Sequence, residues 1–253
     1  MREPRPLTIL TGASRGLGAA IAEQLLQRGA ALLTMSRRPN QTLDARAAEG
    51  GASLEQWAID LADGVSASAR LETWLTSQQN SFSSATLINN AALAGKAGPI
   101  GASDAPALAA VLGVGLEAPM LLTRAFLRAT HDWYIPRKIL NISSGAGKKP
   151  LPGTAAYCAV KAGLDHFSRV VALDEAHGPN GAMIVSLAPG VIDTDMQTEL
   201  RESDPRAFPN QPLFAAMKAQ GQLSSASDAA SKVLAFLDRP DFGTQPVADV
   251  RDS

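Results

Sequence analysis

Three polar residues in the second half of the chain have the types and spacing for proton transfer to a carbonyl oxygen. Tyr157 and Lys161 stand four positions apart, so on a helix they share one face. A phenol with an ordinary pKa of ~10 exchanges protons poorly at neutral pH; a neighbouring ammonium favours the phenolate and is expected to lower that pKa. Tyr157 would then act as general acid in reduction and general base in oxidation. Ser144, just after the apolar run Lys138 to Ser143, offers a hydroxyl that can hold the carbonyl oxygen. Taken alone, tyrosine and lysine at this spacing mark a packed ring and a solvated amine. Their meaning depends on what else the chain carries.

Near the N-terminus, Thr11-Gly12-Ala13-Ser14-Arg15-Gly16-Leu17-Gly18 joins an apolar run to an amphipathic one, so three glycines occupy a strand-to-helix turn. Such a turn brings backbone close to a pyrophosphate, and free N–H groups at the helix start attract its oxygens. About 20 residues on, where NAD-binding units of this kind place a carboxylate on the ribose 2′-hydroxyl, this chain reads Met35-Ser36-Arg37-Arg38. No acid repels an added phosphate there, and Arg37 supplies a fork of donors suited to one, with Arg15 in reach from the other side. The cofactor expected is NADP.

Positioning these groups requires a parallel sheet. Short apolar runs alternate with stretches of helical period, the pattern of repeated βαβ units. Strands are expected at Leu7 to Thr11, Ala31 to Ser36, Glu55 to Ile59, Ala85 to Asn89, Lys138 to Ser143, Ala182 to Ala188 and Gln245 to Val250. Helices are expected at Gly16 to Arg28, Ser66 to Gln79, Asp104 to Thr130, Thr154 to His177 and Ser225 to Leu237. The fold class is α/β, a three-layer Rossmann fold whose doubly wound parallel sheet of about seven strands is covered by helices on both faces. Residues 1–253 read as one domain, with the proline-bearing segment 193–222 as an excursion forming a substrate lid.

Composition limits the alternatives. Of 253 residues, 45% are hydrophobic and 19% charged, enough for a core of ordinary size. Lysine and arginine number 23 against 24 acids, a formal charge of −1 that provides no general field for nucleic acid or anionic membrane. The segment Met1-Arg2-Glu3-Pro4-Arg5-Pro6 leads into an apolar run too short for a signal sequence, and no run is read as reaching the length of a membrane span. Cys158 is the single cysteine, which excludes an intrachain disulfide; His131, His166 and His177 are dispersed, so no metal is expected. The location expected is cytoplasmic.

Together these residues resemble the short-chain dehydrogenase/reductase family over nearly the whole chain. The matching features are Thr11-Gly12-xxx-Gly16-x-Gly18, Asp60-Leu61, Asn89-Asn90-Ala91, Asn141-Ile142-Ser143-Ser144, Tyr157-xxx-Lys161 and Pro189-Gly190-Val191-Ile192-Asp193-Thr194. The resemblance implies a catalytic trio of Ser144, Tyr157 and Lys161, with Ser144 preferred over Ser143 by its thirteen-residue step to Tyr157. It implies a cofactor site made by Gly12, Ser14, Arg15, Gly16, Leu17, Gly18 and Arg37. In that site Asp60 and Leu61 flank the adenine, Asn89 and Ala91 border its ribose, and Pro189, Gly190, Val191, Ile192 and Thr194 hold the carboxamide. Lys161 would also bond the nicotinamide ribose. A homodimer or homotetramer is implied too, through the family's fourth and fifth helices.

A narrower likeness is to sepiapterin reductases and bacterial benzil reductases, carried by Ser143 to Lys148, Ala156-Tyr157-Cys158, Asp193 to Gln197 and Lys218 to Leu223. Asp249 lies near the place of an aspartate that anchors the pterin in the former, and a surface carboxylate at a strand end is the competing reading. Two departures stand out. Gly115, in Gly113-Val114-Gly115-Leu116, occupies the place of a family asparagine that organises water leading to the lysine, and Ala92 replaces a glycine after Asn89-Asn90-Ala91. The function expected is NADPH-dependent reduction of a small ketone, aldehyde or α-dicarbonyl. The alternatives are a dehydrogenase of a bulkier alcohol, such as a steroid or acyl chain, and a non-catalytic NADP-binding sensor.

Overall fold

The computed structural model describes residues 4–78 and 81–252. Seven strands, β1 (Arg5–Thr11), β2 (Ala31–Ser36), β3 (Ser53–Ala58), β4 (Phe82–Asn89), β5 (Arg137–Ile142), β6 (Met183–Ala188) and β7 (Val247–Asp249), form one sheet in the order β3-β2-β1-β4-β5-β6-β7. Every neighbouring pair is parallel. Successive residues of a strand point to opposite faces, and here both faces are buried. Leu7 and Ile9 of β1 join one core layer while Leu10 joins the other, and Ile139 and Leu140 of β5 divide the same way.

Helices α1 (Gly16–Gln27), α2 (Gln41–Gly50) and α9 (Ala226–Leu237) cover the first layer. The second is covered by α3 (Gly64–Ser77), α5 (Ala118–Ala129) and α6 (Ala155–Ala176). The chain reverses its winding between β1 and β4. The crevice outside the carboxyl ends of such strands is where open α/β sheets bind ligands.

The expected strands and helices are all present, with ends shifted by a few residues. The helix starting near Ser66 begins at Gly64, because Asp63 caps it by accepting the Ser66 N–H at 3.0 Å. Its expected end, Gln79, lies outside the described residues, as do Met1 to Glu3. Helix α2 was not anticipated: it buries only Leu43 and Ala47, too thin a stripe for periodicity to reveal. Its local signals are Asn40 capping Thr42 at one end and left-handed Gly51 at the other.

The helix expected at Asp104 to Thr130 is two, α4 (Ala105–Leu112) and α5, joined by a π-helical turn over Gly113–Glu117. Pro119 lacks the N–H that an unbroken α-helix would donate to the Gly115 carbonyl, which removes one bond where the turn runs. The reading that no stretch reaches membrane-span length is corrected here. The helical segment Ala105–Ala129, 25 residues, is long and apolar enough by length and composition. In the fold, Ala118, Leu122 and Phe126 on this segment pack into the second core layer. The excursion after β6 holds α7 (Asp195–Arg201) and α8 (Gln211–Ala219), and a single parallel bridge of Ile192 with Ser224 closes its base among the described residues.

Candidate active site

The turn after β1 is held by close contacts that tolerate few side chains. A Cβ on Gly18 would lie 2.0 Å from the Gly12 carbonyl oxygen, and Gly12 itself has φ +74°. The loop is tied to both neighbouring strands. Gly12 N–H donates to the Met35 carbonyl and Ala13 N–H to the Ser36 hydroxyl, each at 2.9 Å. From β4, the Asn90 side chain donates to the carbonyls of Thr11 (3.0 Å) and Gly12 (3.1 Å), while the Thr11 hydroxyl accepts the N–H groups of Asn90 and Ala91. Asn90 and Ser36 therefore shape the cradle, a role that sequence reading gave to neither. Their signal was adjacency to the motif residues at the ends of the two strands beside β1.

Around this cradle, Ser14 and Arg15 are exposed and Leu17 is buried. Arg37 and Arg38 are exposed at the end of β2, in reach of solvent and of a phosphate. Arg15 is engaged by the excursion, its guanidinium pairing with Asp195 at 2.6 Å. Asp60 is exposed and turns the chain by accepting the Ala62 N–H, and Leu61 is buried beside it. The Asn89 side chain is turned inward: it is 2% exposed, donates to Asn141 (2.8 Å) and Thr123 (3.4 Å) and leaves its amide oxygen unpartnered, so it is the backbone at the end of β4 that a ligand would meet.

At the carboxyl end of β5 the chain runs through Ser143 and Ser144 into a 3₁₀ turn, Gly145–Gly147, with Ser144 accepting the Ala146 N–H at 3.2 Å. The next helix, α6, aims Tyr157 and Lys161 at this strand end. Lys161 Nζ donates to the Ile142 carbonyl at 2.7 Å and lies 5.6 Å from the centre of the Tyr157 ring; the Ser144 hydroxyl is near enough to the phenol to favour its ionised form. The three residues that sequence brought together by motif are thus together in space.

Their electrostatics correct one expectation. Tyr157 has its pKa raised rather than lowered: burial disfavours the phenolate and outweighs the Ser144 hydrogen bond that pulls the other way. Lys161, 3% exposed, has its pKa lowered to about 8 by burial, against which the charge of Asp165 acts to raise it. At neutral pH the phenol is protonated and the lysine carries its charge.

Beneath Lys161, the Gly115 departure has a packing counterpart. A Cβ on Gly115 would lie 2.6 Å from Val160 Cγ1, so valine fills the volume that any side chain at 115 would need. Val160 is 1% exposed. At the other side of the entrance, Pro189 to Thr194 leave β6 through Gly190, at φ +83°. Val191 and Asp193 exchange backbone hydrogen bonds with Ser224, and the Thr194 methyl lies 3.5 Å from where a Cβ on Gly16 would stand. These residues therefore sit against the cradle. Asp249 is 8% exposed and held by Arg251 at 2.5 and 2.8 Å, which leaves it committed to a neighbour rather than open to a ligand.

Residues 7–205 match the family model described as short chain dehydrogenase. Among curated proteins, the chain is 36% identical to a benzil reductase ((S)-benzoin forming) of Bacillus cereus, over 92% of this chain and 94% of that one. It is 28% identical to the sepiapterin reductase of Mus musculus over 96% of each. Among solved structures, a 3-oxoacyl-[acyl-carrier protein] reductase from Brucella melitensis, in complex with NAD, superposes with a TM-score of 0.81. At 24% identity over 99% of this chain and 96% of that one, it shares the fold.

Proposed function

Since the chain belongs to the short-chain dehydrogenase family, whose members act on carbonyl and hydroxyl groups, we propose that it is an NADPH-dependent reductase of small ketones, aldehydes or α-dicarbonyls of the benzil and sepiapterin type. The observation that carries this reading is the convergence of Ser144, Tyr157 and Lys161 at the ligand-binding edge of the sheet, with the proton on the phenol. A protonated Tyr157 is the form a reduction consumes, and burial favours it. The similarity to a benzil reductase across the whole chain points to the substrate class.

NADP(H), when bound, supplies or accepts the hydride. The cradle fits such a group: Gly12 and Gly18 let the turn close against Ala91, Asn90 and its own backbone at the start of α1, where helix N–H groups attract an anion, and Arg37 and Arg38 stand open at the end of β2 for an added phosphate. Ser144 orients the carbonyl oxygen by donating a hydrogen bond. Tyr157 donates its phenolic proton to that oxygen as the alcohol forms, and the Lys161 ammonium steadies the negative charge left on the ring. Subunits would associate through the faces of α5 and α6, where Met120 and Val170 are exposed.

The test is NADPH oxidation by purified protein against benzil and other α-diketones, sepiapterin and simple aldehydes, with NADH and Tyr157→Phe in parallel. Turnover with benzil is expected to fall by about 100-fold or more in the variant and to be about tenfold weaker with NADH. Tight NADPH binding with no turnover on any carbonyl would replace the reductase with the sensor.

A further inference from the structure

One buried acid lies beside the trio and is not part of it. Asp165 is on α6, one turn beyond Lys161, and 3% exposed. Its Oδ1 accepts two hydroxyl hydrogen bonds, from Ser143 at 2.5 Å and from Ser186 of β6 at 2.7 Å. Its Oδ2 lies so near the turn after Ser144 that a Cβ on Gly147 would be 2.6 Å from it. A single carboxylate therefore joins the end of β5, the middle of β6, the Ser144 turn and the helix carrying Tyr157 and Lys161. A buried carboxylate is costly unless it is paired and hydrogen-bonded. Two hydroxyls lower that cost, and the buried Lys161 ammonium one helical turn back, farther than a direct ion pair, lowers it further through its charge.

We propose that Asp165 is the counter-charge of the Lys161 ammonium and, through Ser143, the anchor of Ser144: a positioning residue for the reaction. This rests on the reductase reading for its consequence in turnover, though not for its electrostatics. The elements packed against α6 bring other ionisable groups to its surroundings: Glu117 on the π turn, Lys148 after the 3₁₀ turn and Asp249 at the end of β7. Tyr157 is on α6 itself. Among these groups Asp165 is the one buried with Lys161 on adjacent turns of α6, and its charge opposes the burial that lowers the lysine's pKa. The carboxylate compensates for a lysine almost wholly removed from water. Ser143, which by sequence is simply the residue before the catalytic serine, is the link by which that carboxylate fixes the strand end.

The decisive variant is Asp165→Asn, which keeps an oxygen for the two serines and removes the charge. Titration of Lys161, followed by NMR in protein labelled at lysine Cε, should move down by about one pH unit. In the reductive pH profile the basic limb, where the ammonium is lost, should move down with it, while Asp165→Glu should leave it in place. An unmoved lysine titration in Asp165→Asn overturns the counter-charge, whatever happens to stability. Asp165→Ser, smaller and also neutral, gives the same reading if the amide is not accommodated. Ser143→Ala tests the anchor separately: kcat should fall about tenfold with the basic limb unmoved, and a wild-type kcat overturns it. If wild-type protein reduces no carbonyl, the reductase reading fails, and the lysine titration still decides the counter-charge.

Discussion

The glycine cradle and the excursion over 193–222 lie side by side and are held differently. The cradle is made of backbone in near-contact, pinned by neutral hydrogen bonds from Ser36, Thr11 and Asn90. The excursion over 193–222 is tied within itself by Asp193, which takes Arg201 and Lys218, and to the glycine turn by Asp195, which takes Arg15 with both partners about two-thirds exposed. Beneath them, Phe208 is fully buried and meets Phe214 edge-on at 5.3 Å. Steric contact has no partial form, whereas an exposed ion pair is worth little and is screened by salt. The cradle is therefore fixed by contact, whereas the ion pair that joins the excursion to it costs little to break.

The contrast is broken most directly at Gly18. With its Cβ driven to 2.0 Å from the Gly12 oxygen and 2.5 Å from the Asn90 amide, Gly18→Ala should lose stability by about 3 kcal/mol in chemical denaturation, and cofactor binding with it. A variant that stays stable and binds NADPH normally would show that the cradle can relax.

Next in size is Gly115→Asn, which tests whether the same intolerance extends beneath Lys161. Forced against Val160, it should cost about 2 kcal/mol, and adding Val160→Ala should recover most of that loss. Thermal denaturation of the two variants decides it; a single variant as stable as the parent would mean that the π turn yields.

The smallest effect belongs to the lid. Asp195→Ala should change stability by less than about 0.5 kcal/mol, because the pair it breaks is exposed. It frees Arg15, so NADPH should bind a few-fold tighter at low salt while NADH is unaffected, as fluorescence titration would show. Equal tightening of both cofactors would remove Arg15 from the phosphate site.

Much of this was legible in the chain. The alternation of apolar runs with helical periods located every strand, because residues buried on both faces of a parallel sheet leave a strong pattern. Where burial is thin the pattern fails, as at α2, where only Leu43 and Ala47 face inward. The trio and the glycine turn were legible because their chemistry demands particular residue types at particular spacings. Asp165 was not singled out, though it stands four residues beyond Lys161 just as Lys161 stands four beyond Tyr157. Nothing local reveals that its other partners are Ser143 and Ser186, more than twenty residues away on either side.

The sequence by itself determined the parallel α/β sheet, the place of its glycine turn and the identities of the groups that meet at its edge, since these follow from periodicity and from residue chemistry. The tertiary structure alone decided the charge states and the free volume. Tyr157 holds its proton because burial outweighs its neighbours, Lys161 titrates near 8 because it is sealed from water, and Gly115 is filled by a valine forty-five positions on. Desolvation and exclusion depend on everything that surrounds a group, and a chain read in order shows only what precedes and follows it.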